Sequence, residues 1–120
     1  MLLLIGCTEA ITIVHHDATA DGDTYRVMVV MHASWHGKRG FAPSNNGFAP
    51  RDEYTVRIPA AFAPPILPQA GDLIVRGILH RFDGKRSLEG KTWFQTSFVG
   101  DNRRNGVLAE LMPHIVIKNT

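Results

Sequence analysis

Apolar residues along this chain recur mostly at every second position, in short runs bounded by Gly, Pro, Asn and Asp. Successive side chains of a strand point to opposite faces, so this period of two predicts β-structure. The first run, Glu9 to Val14, sets Ile11 and Ile13 on one face. Asp17 to Asp23, with Asp21-Gly22, predicts a tight reversal. Thr24 to Trp35 puts Tyr25, Val27, Val29 and Met31 on one face and Arg26, Met28, Val30 and His32 on the other, a strand half covered on its far side. Tyr54 to Ile58 turns Tyr54, Val56 and Ile58 inward and Thr55 and Arg57 outward, and Pro59 ends it. Leu73 to His80 is apolar on both faces apart from Arg76, as a central strand is. Lys91 to Val99 and Ile115 to Lys118 complete the set.

The segments between them read as connections. Ala60 to Ala70 contains Pro64, Pro65 and Pro68 and predicts an extended link that sustains neither ladder nor helix. Asp83 to Gly90 predicts a polar loop, and Asn105 to Met112 one or two helical turns stopped by Pro113. Six or seven short strands without the helical patterns of βαβ units predict an all-β fold. The expected architecture is a small single-domain β-barrel, or a sandwich, with one long loop excursion. Closing the sheet on itself would remove the open edges that invite uncontrolled pairing. The domain is expected over residues 9–120, behind an apolar N-terminal arm at 1–8.

The excursion, at about 36–51, breaks the alternation. Gly40-Phe-Ala-Pro43 recurs seven residues later as Gly47-Phe-Ala-Pro50, and Ala61-Phe-Ala-Pro64 is related. Loops longer than about 12–15 residues are uncommon in compact domains and tend to carry function. Asn45-Asn46-Gly47 suits the tip of an arm, because Asn and Gly tolerate positive φ. Phe41 and Phe48 are expected either to fold back as plugs over an open end of the barrel or to be displayed to a partner. Lys38, Arg39, Phe41, Asn45, Asn46, Phe48 and Arg51 are therefore the candidate partner-contact residues, with Phe62, Arg103 and Arg104 as secondary contacts.

Composition narrows the class of work. With 120 residues, 44% hydrophobic and 20% charged, the chain has the makings of one folded domain. A formal charge of +2 is small for a nucleic-acid footprint, so strong DNA binding is not expected. The single cysteine, Cys7, makes no internal disulfide, which fits a chain made inside the cell. Met1 to Cys7 superficially resembles the end of a lipoprotein signal but lacks the basic start and the longer apolar region, and no stretch approaches a transmembrane span.

Candidate chemistry is sparse. His15 and His16 are adjacent and on a strand point to opposite faces, so they are not expected to chelate one metal. His32, His36, His80 and His114 are scattered. Gly84-Lys85-Arg86-Ser87 lacks the first glycine of a phosphate loop and any following helix. Ser34, Ser44, Ser87 and Ser97 lie in no nucleophile elbow, and Cys7 has no basic neighbour in sequence. No acid, base, nucleophile and orienter can be named together, so no enzyme, metal or cofactor is expected. Trp93, Phe94 and Phe98 could stack bases in an OB-type barrel, but Phe94 and Phe98 read more simply as core.

Several blocks, taken in order, carry a resemblance. They are Ser34-Trp-His36, Asp52-Glu-Tyr-Thr-Val-Arg-Ile-Pro59, Gly71-Asp-Leu-Ile-Val-Arg-Gly-Ile78, Phe98-Val-Gly-Asp-Asn-Arg-Arg104 and Pro113-His-Ile-Val-Ile-Lys118. From about Glu9 onward the chain resembles a family of small proteins encoded among the head and head-to-tail joining genes of tailed bacteriophages and prophages. That resemblance implies a structural virion protein, foremost a head-closure or stopper subunit: a β-barrel in a homo-oligomeric ring beneath the portal. Its partners would be neighbouring portal, connector and tail proteins, with possible non-specific contact to packaged DNA and none to membrane. Tail terminator, connector adaptor and capsid decoration protein are the other virion roles it implies. The apolar arm, the doubled Gly-Phe-Ala-Pro and the short Ala-Pro link depart from the family pattern.

Overall fold

The computed structural model describes residues 6–20, 22–44, 47–103 and 113–120, and at 41–44 and 48–50 the backbone alone. Seven strands are present: β1 (Glu9–Thr19), β2 (Gly22–Ser44), β3 (Gly47–Pro59), β4 (Leu73–Arg76), β5 (Trp93–Gln95), β6 (Phe98–Asn102) and β7 (His114–Lys118). They form one antiparallel sheet in the order β5-β4-β1-β2-β3-β7-β6. The all-β expectation holds. The predicted helical turns at 105–112 and the arm residues Met1 to Ile5 lie outside the described residues.

β2 organises the sheet. Its first half, Gly22 to Ala33, pairs with β1, and its second half, Ser34 to Ser44, pairs with β3. At the changeover β1 advances two residues, from Glu9 to Ile11, while β2 retreats three, from Ala33 to Val30. This bulge resets the alternation, so that Val30 and Ala33, three apart, both face the core. The same strand can thereby change partner. The two edge strands, β5 and β6, are separated only by Thr96-Ser97. Thr96 donates its N–H to the Asp72 carbonyl at 2.8 Å, and Ser97 donates its own to the Lys118 carbonyl at 2.9 Å. One short stretch of chain thus joins both ends of the curled sheet.

Inside it Ile11, Ile13, Val56, Ile58, Ile74, Ile115 and Ile117 are fully buried, with Val30, Ala33 and Phe94 beside them. Full burial of one such side chain stabilises by about 1.5–3 kcal/mol, so this core dominates the fold. On β2 it is the Met28 and Val30 row that faces the core, and Tyr25, Val29 and Met31 are exposed. A second cluster, Val14, Val75, Leu79 and Leu88, lies on the opposite face of β1 and β4, where 77–92 folds over it.

Five local expectations are corrected. Leu73 to His80 is a strand only to Arg76, because Gly77 has φ +97° and turns the chain. Lys91 to Val99 is divided at Thr96-Ser97 into β5 and β6. The loop at 83–90 contains a 3-10 turn, Lys85–Leu88, which buries Leu88, and the 60–70 link opens with a 3-10 turn at Ala60–Phe62. The long excursion at 36–51 is β2 and β3 paired as a ribbon, with Ser44 opposite Gly47.

Candidate interaction surface

The ribbon is the feature that sets this sheet apart. β1 leaves β2 at Ala33, and β7 pairs with β3 only from Thr55 to Pro59. Among the described strands, Trp35 to Ser44 and Gly47 to Tyr54 therefore have no third strand beside them. Eight paired positions at about 3.4 Å each make an extension of about 25 Å. The radius of gyration is 15.3 Å, against about 13.5 Å for a compact chain of this length.

The root of the ribbon is built from aromatic rings. Trp35 and Tyr54 lie 5.4 Å apart between centroids, Trp35 and Phe94 5.3 Å, and Tyr54 stacks on Phe94 at 5.5 Å. Arg76 crosses over Trp35 at 5.7 Å and is paired with Glu9, its Nε donating to Oε1 at 3.1 Å. Opposite Tyr54 stands Gly37, where a Cβ would come within 3.1 Å of the tyrosine ring. The glycine lets the ring lie across the strand.

Asn119 then clamps the outer edge. Its Oδ1 accepts the Tyr54 N–H at 2.9 Å, its Nδ2 donates to the Asp52 carbonyl at 2.9 Å, and its backbone carbonyl accepts from Arg51 Nη2 at 2.7 Å. One carboxamide thus stands in for a strand residue where β7 has ended.

Along the ribbon, Lys38 faces Glu53 at 3.5 Å and Arg39 faces Asp52 at 3.8 Å, on opposite faces. Both cations are on β2 and both anions on β3. The backbones of Phe41 and Phe48 are paired near the tip; their side chains, and Asn45 and Asn46, lie outside the described residues. Of the secondary contacts, Phe62 is 41% exposed and packs on His32 with centroids 4.3 Å apart. Arg103 is held within its own segment by Asp101, at 2.8 Å, which pushes its guanidinium pKa up, and Arg104 lies outside the described residues. The structure thus unites Lys38, Arg39 and Arg51 on one ribbon and leaves Phe62 and Arg103 apart from it.

A second polar site lies at the far end of β1. Asp72, nearly fully buried, accepts from His15 Nδ1 through Oδ1 at 2.6 Å and from the Gln69 N–H through Oδ2 at 2.9 Å. His15 Nε2 is 3.1 Å from Asp17 Oδ1. The Asp72 contact, aided by Asp17, pushes the His15 pKa up. A shallow cleft of 380 Å³ opens beside it, lined by His15, His16, Gln69, Gly71, Asp72 and Gln95. His16 leaves the other side of the strand, stacks on Tyr25 at 5.0 Å and pairs with Asp23 at 3.0 Å. Among the described residues no three His, Cys, Asp or Glu are placed to hold a metal. Cys7 is buried against Ser34, and that burial pushes its thiol pKa up.

Sequence reasoning did not find Asn119 or the His15–Asp72 pair. Their partners are 65 and 57 residues away in the chain, and local spacing carries no trace of such contacts.

Residues 7–119 match the family model of a family of unknown function (DUF6751). No curated protein and no solved structure matches the chain.

Proposed function

We propose that this chain, which belongs to the DUF6751 family of unknown function, is a non-enzymatic assembly subunit, and that its setting is the neck of a tailed-phage virion. In this reading it is a head-closure subunit, ringed with its own copies and flanked by portal and tail proteins. The observation that carries the reading is the ribbon: Gly37–Ser44 and Gly47–Tyr54, which among the described strands pair only with each other and are clamped at the root by Asn119. Unpaired strand edges are templates for another chain, and folded proteins commonly cover them. A subunit that leaves them open on a rigid arm is suited to gripping neighbours. The blocks resembling head-to-tail joining proteins supply the setting, and tail terminator, adaptor and decoration roles share the same physical design.

The test is direct detection in particles. Immunogold labelling of purified tailed virions with antibody against this chain should mark the junction of head and tail. Label on the capsid surface would favour the decoration role. Its absence from purified particles by mass spectrometry would remove the virion setting altogether.

A further inference from the structure

The face of the sheet turned away from the core at β2, β3, β7 and β6 has its own character. Its register runs His36 opposite Thr55, Thr55 opposite Lys118 and Lys118 opposite Phe98, so these four form one row across four strands. Phe98, expected in the core, is 48% exposed. It reaches along its strand over Gly100, where a Cβ would lie 3.2 Å from the ring and 2.8 Å from Val116. Any side chain at position 100 would lift the ring, so glycine is what lets it lie on the sheet. The flanking positions of the same face carry Lys38, Arg51 and Arg57, and Glu53 is its only carboxylate among the described residues. Four of the chain's thirteen Lys and Arg thus meet one of its eleven acids. Beside the row, a cleft of 240 Å³ is lined by His36, Gly37, Lys38, Glu53, Thr55 and Lys118. That is below the roughly 300–1,000 Å³ of small-molecule sites and suits a group the size of a phosphate.

We propose that this face binds single-stranded nucleic acid, with a phosphate seated between Lys38 and Lys118 and a base lying on Phe98. Cations track a nucleic-acid backbone, and an exposed aromatic ring on a sheet stacks any base that is free to leave its neighbours. Duplex bases are already stacked on both sides and cannot reach the ring. An acidic peptide would satisfy the lysines and leave Phe98 without a partner. The site goes beyond the assembly role and does not depend on it, since one copy of the chain holds every group involved.

Fluorescence anisotropy of a labelled oligothymidylate of about 15 nucleotides against the full chain tests it. Binding should weaken at least tenfold between about 50 and about 200 mM salt. Phe98→Ala should weaken it about fivefold or more. Lys118→Glu should do the same, while Trp93→Ala, an exposed aromatic on a different part of the sheet, should leave it unchanged, with circular dichroism confirming that all three fold. No binding at about 100 µM protein overturns the proposal, that being the weak end of non-specific affinity. So does binding that Phe98→Ala leaves untouched, or a matching duplex bound as tightly as the single strand.

Discussion

His15 has an acceptor on each ring nitrogen, Asp72 on Nδ1 and Asp17 on Nε2, and only the imidazolium can donate to both. Arg26, opposite His15 on β2, shares Asp17 at 3.6 Å. The raised pKa of His15 means that the folded state holds its proton more tightly than the unfolded chain, whose value is 6.5. The resulting stabilisation is complete below about pH 6.5 and is lost as pH rises through the folded value. Thermal melts should show His15→Gln less stable than wild type at acidic pH, with the gap narrowing above neutrality; a gap that widens with pH would contradict the assignment. Thr12 sits deeper, fully buried: its Oγ1 donates to the Gly77 carbonyl at 2.8 Å and accepts the Leu79 N–H at 2.9 Å. Thr12→Val keeps the shape and strands both backbone groups. Urea unfolding should show a loss of about 1–3 kcal/mol. Neither residue announces this in the sequence, where Thr12 is one more polar position in an alternating strand. The inward row at Val56 and Ile58 was legible because burial imposes a period of two.

At the scale of elements, legibility follows how many faces a strand buries. The Tyr54–Ile58 part of β3 buries one face and shows clean alternation, whereas β1 is buried on both faces over Ile11–Val14 and only its Ile11 and Ile13 row was legible. The ribbon pairs outside the body, so nothing selects apolar residues at every second place, and its Pro43 and Pro50 read as loop punctuation. Proline is tolerated there because an edge strand has a backbone side without a ladder. Of the Asn45-Asn46-Gly47 expected at the tip, only Gly47 lies within the described residues, with a φ of +105° that favours glycine. What the sequence could not supply is the clamp, because a side chain replaces a missing strand. Asn119→Ala removes two hydrogen bonds and should destabilise the root by about 1 kcal/mol. Hydrogen exchange should then quicken at Tyr54, while Ile58 and Ile117 keep their protection. Deleting Gly40 to Pro50 is the complementary change, and since the described strand residues in it pair with each other, apart from Gly40 with Arg51, the shortened chain should remain folded by far-ultraviolet circular dichroism and melt cooperatively.

Across the whole molecule, a core of β-branched residues fixes a curled sheet, one stretch of chain joins its two ends, and an arm of paired strands leaves it. In the proposed assembly role, the aromatic root and the Asn119 clamp would orient the arm and so lower the ordering entropy a contact with a neighbour must overcome. The separation is physical: the body is built round an apolar core, whereas the arm, beyond the Asn119 clamp, pairs among the described strands only with itself and carries its charges on its surface. The class of fold was legible from periodicity, and the division into body and arm from where the periodicity stopped. For the proposed virion role, the most direct test is negative-stain microscopy of tailed particles assembled with the Gly40–Pro50 deletion in place of the full chain. The account predicts heads that lack tails or have lost their DNA, although the shortened protein is folded and abundant. Complete tailed virions at normal yield would contradict it.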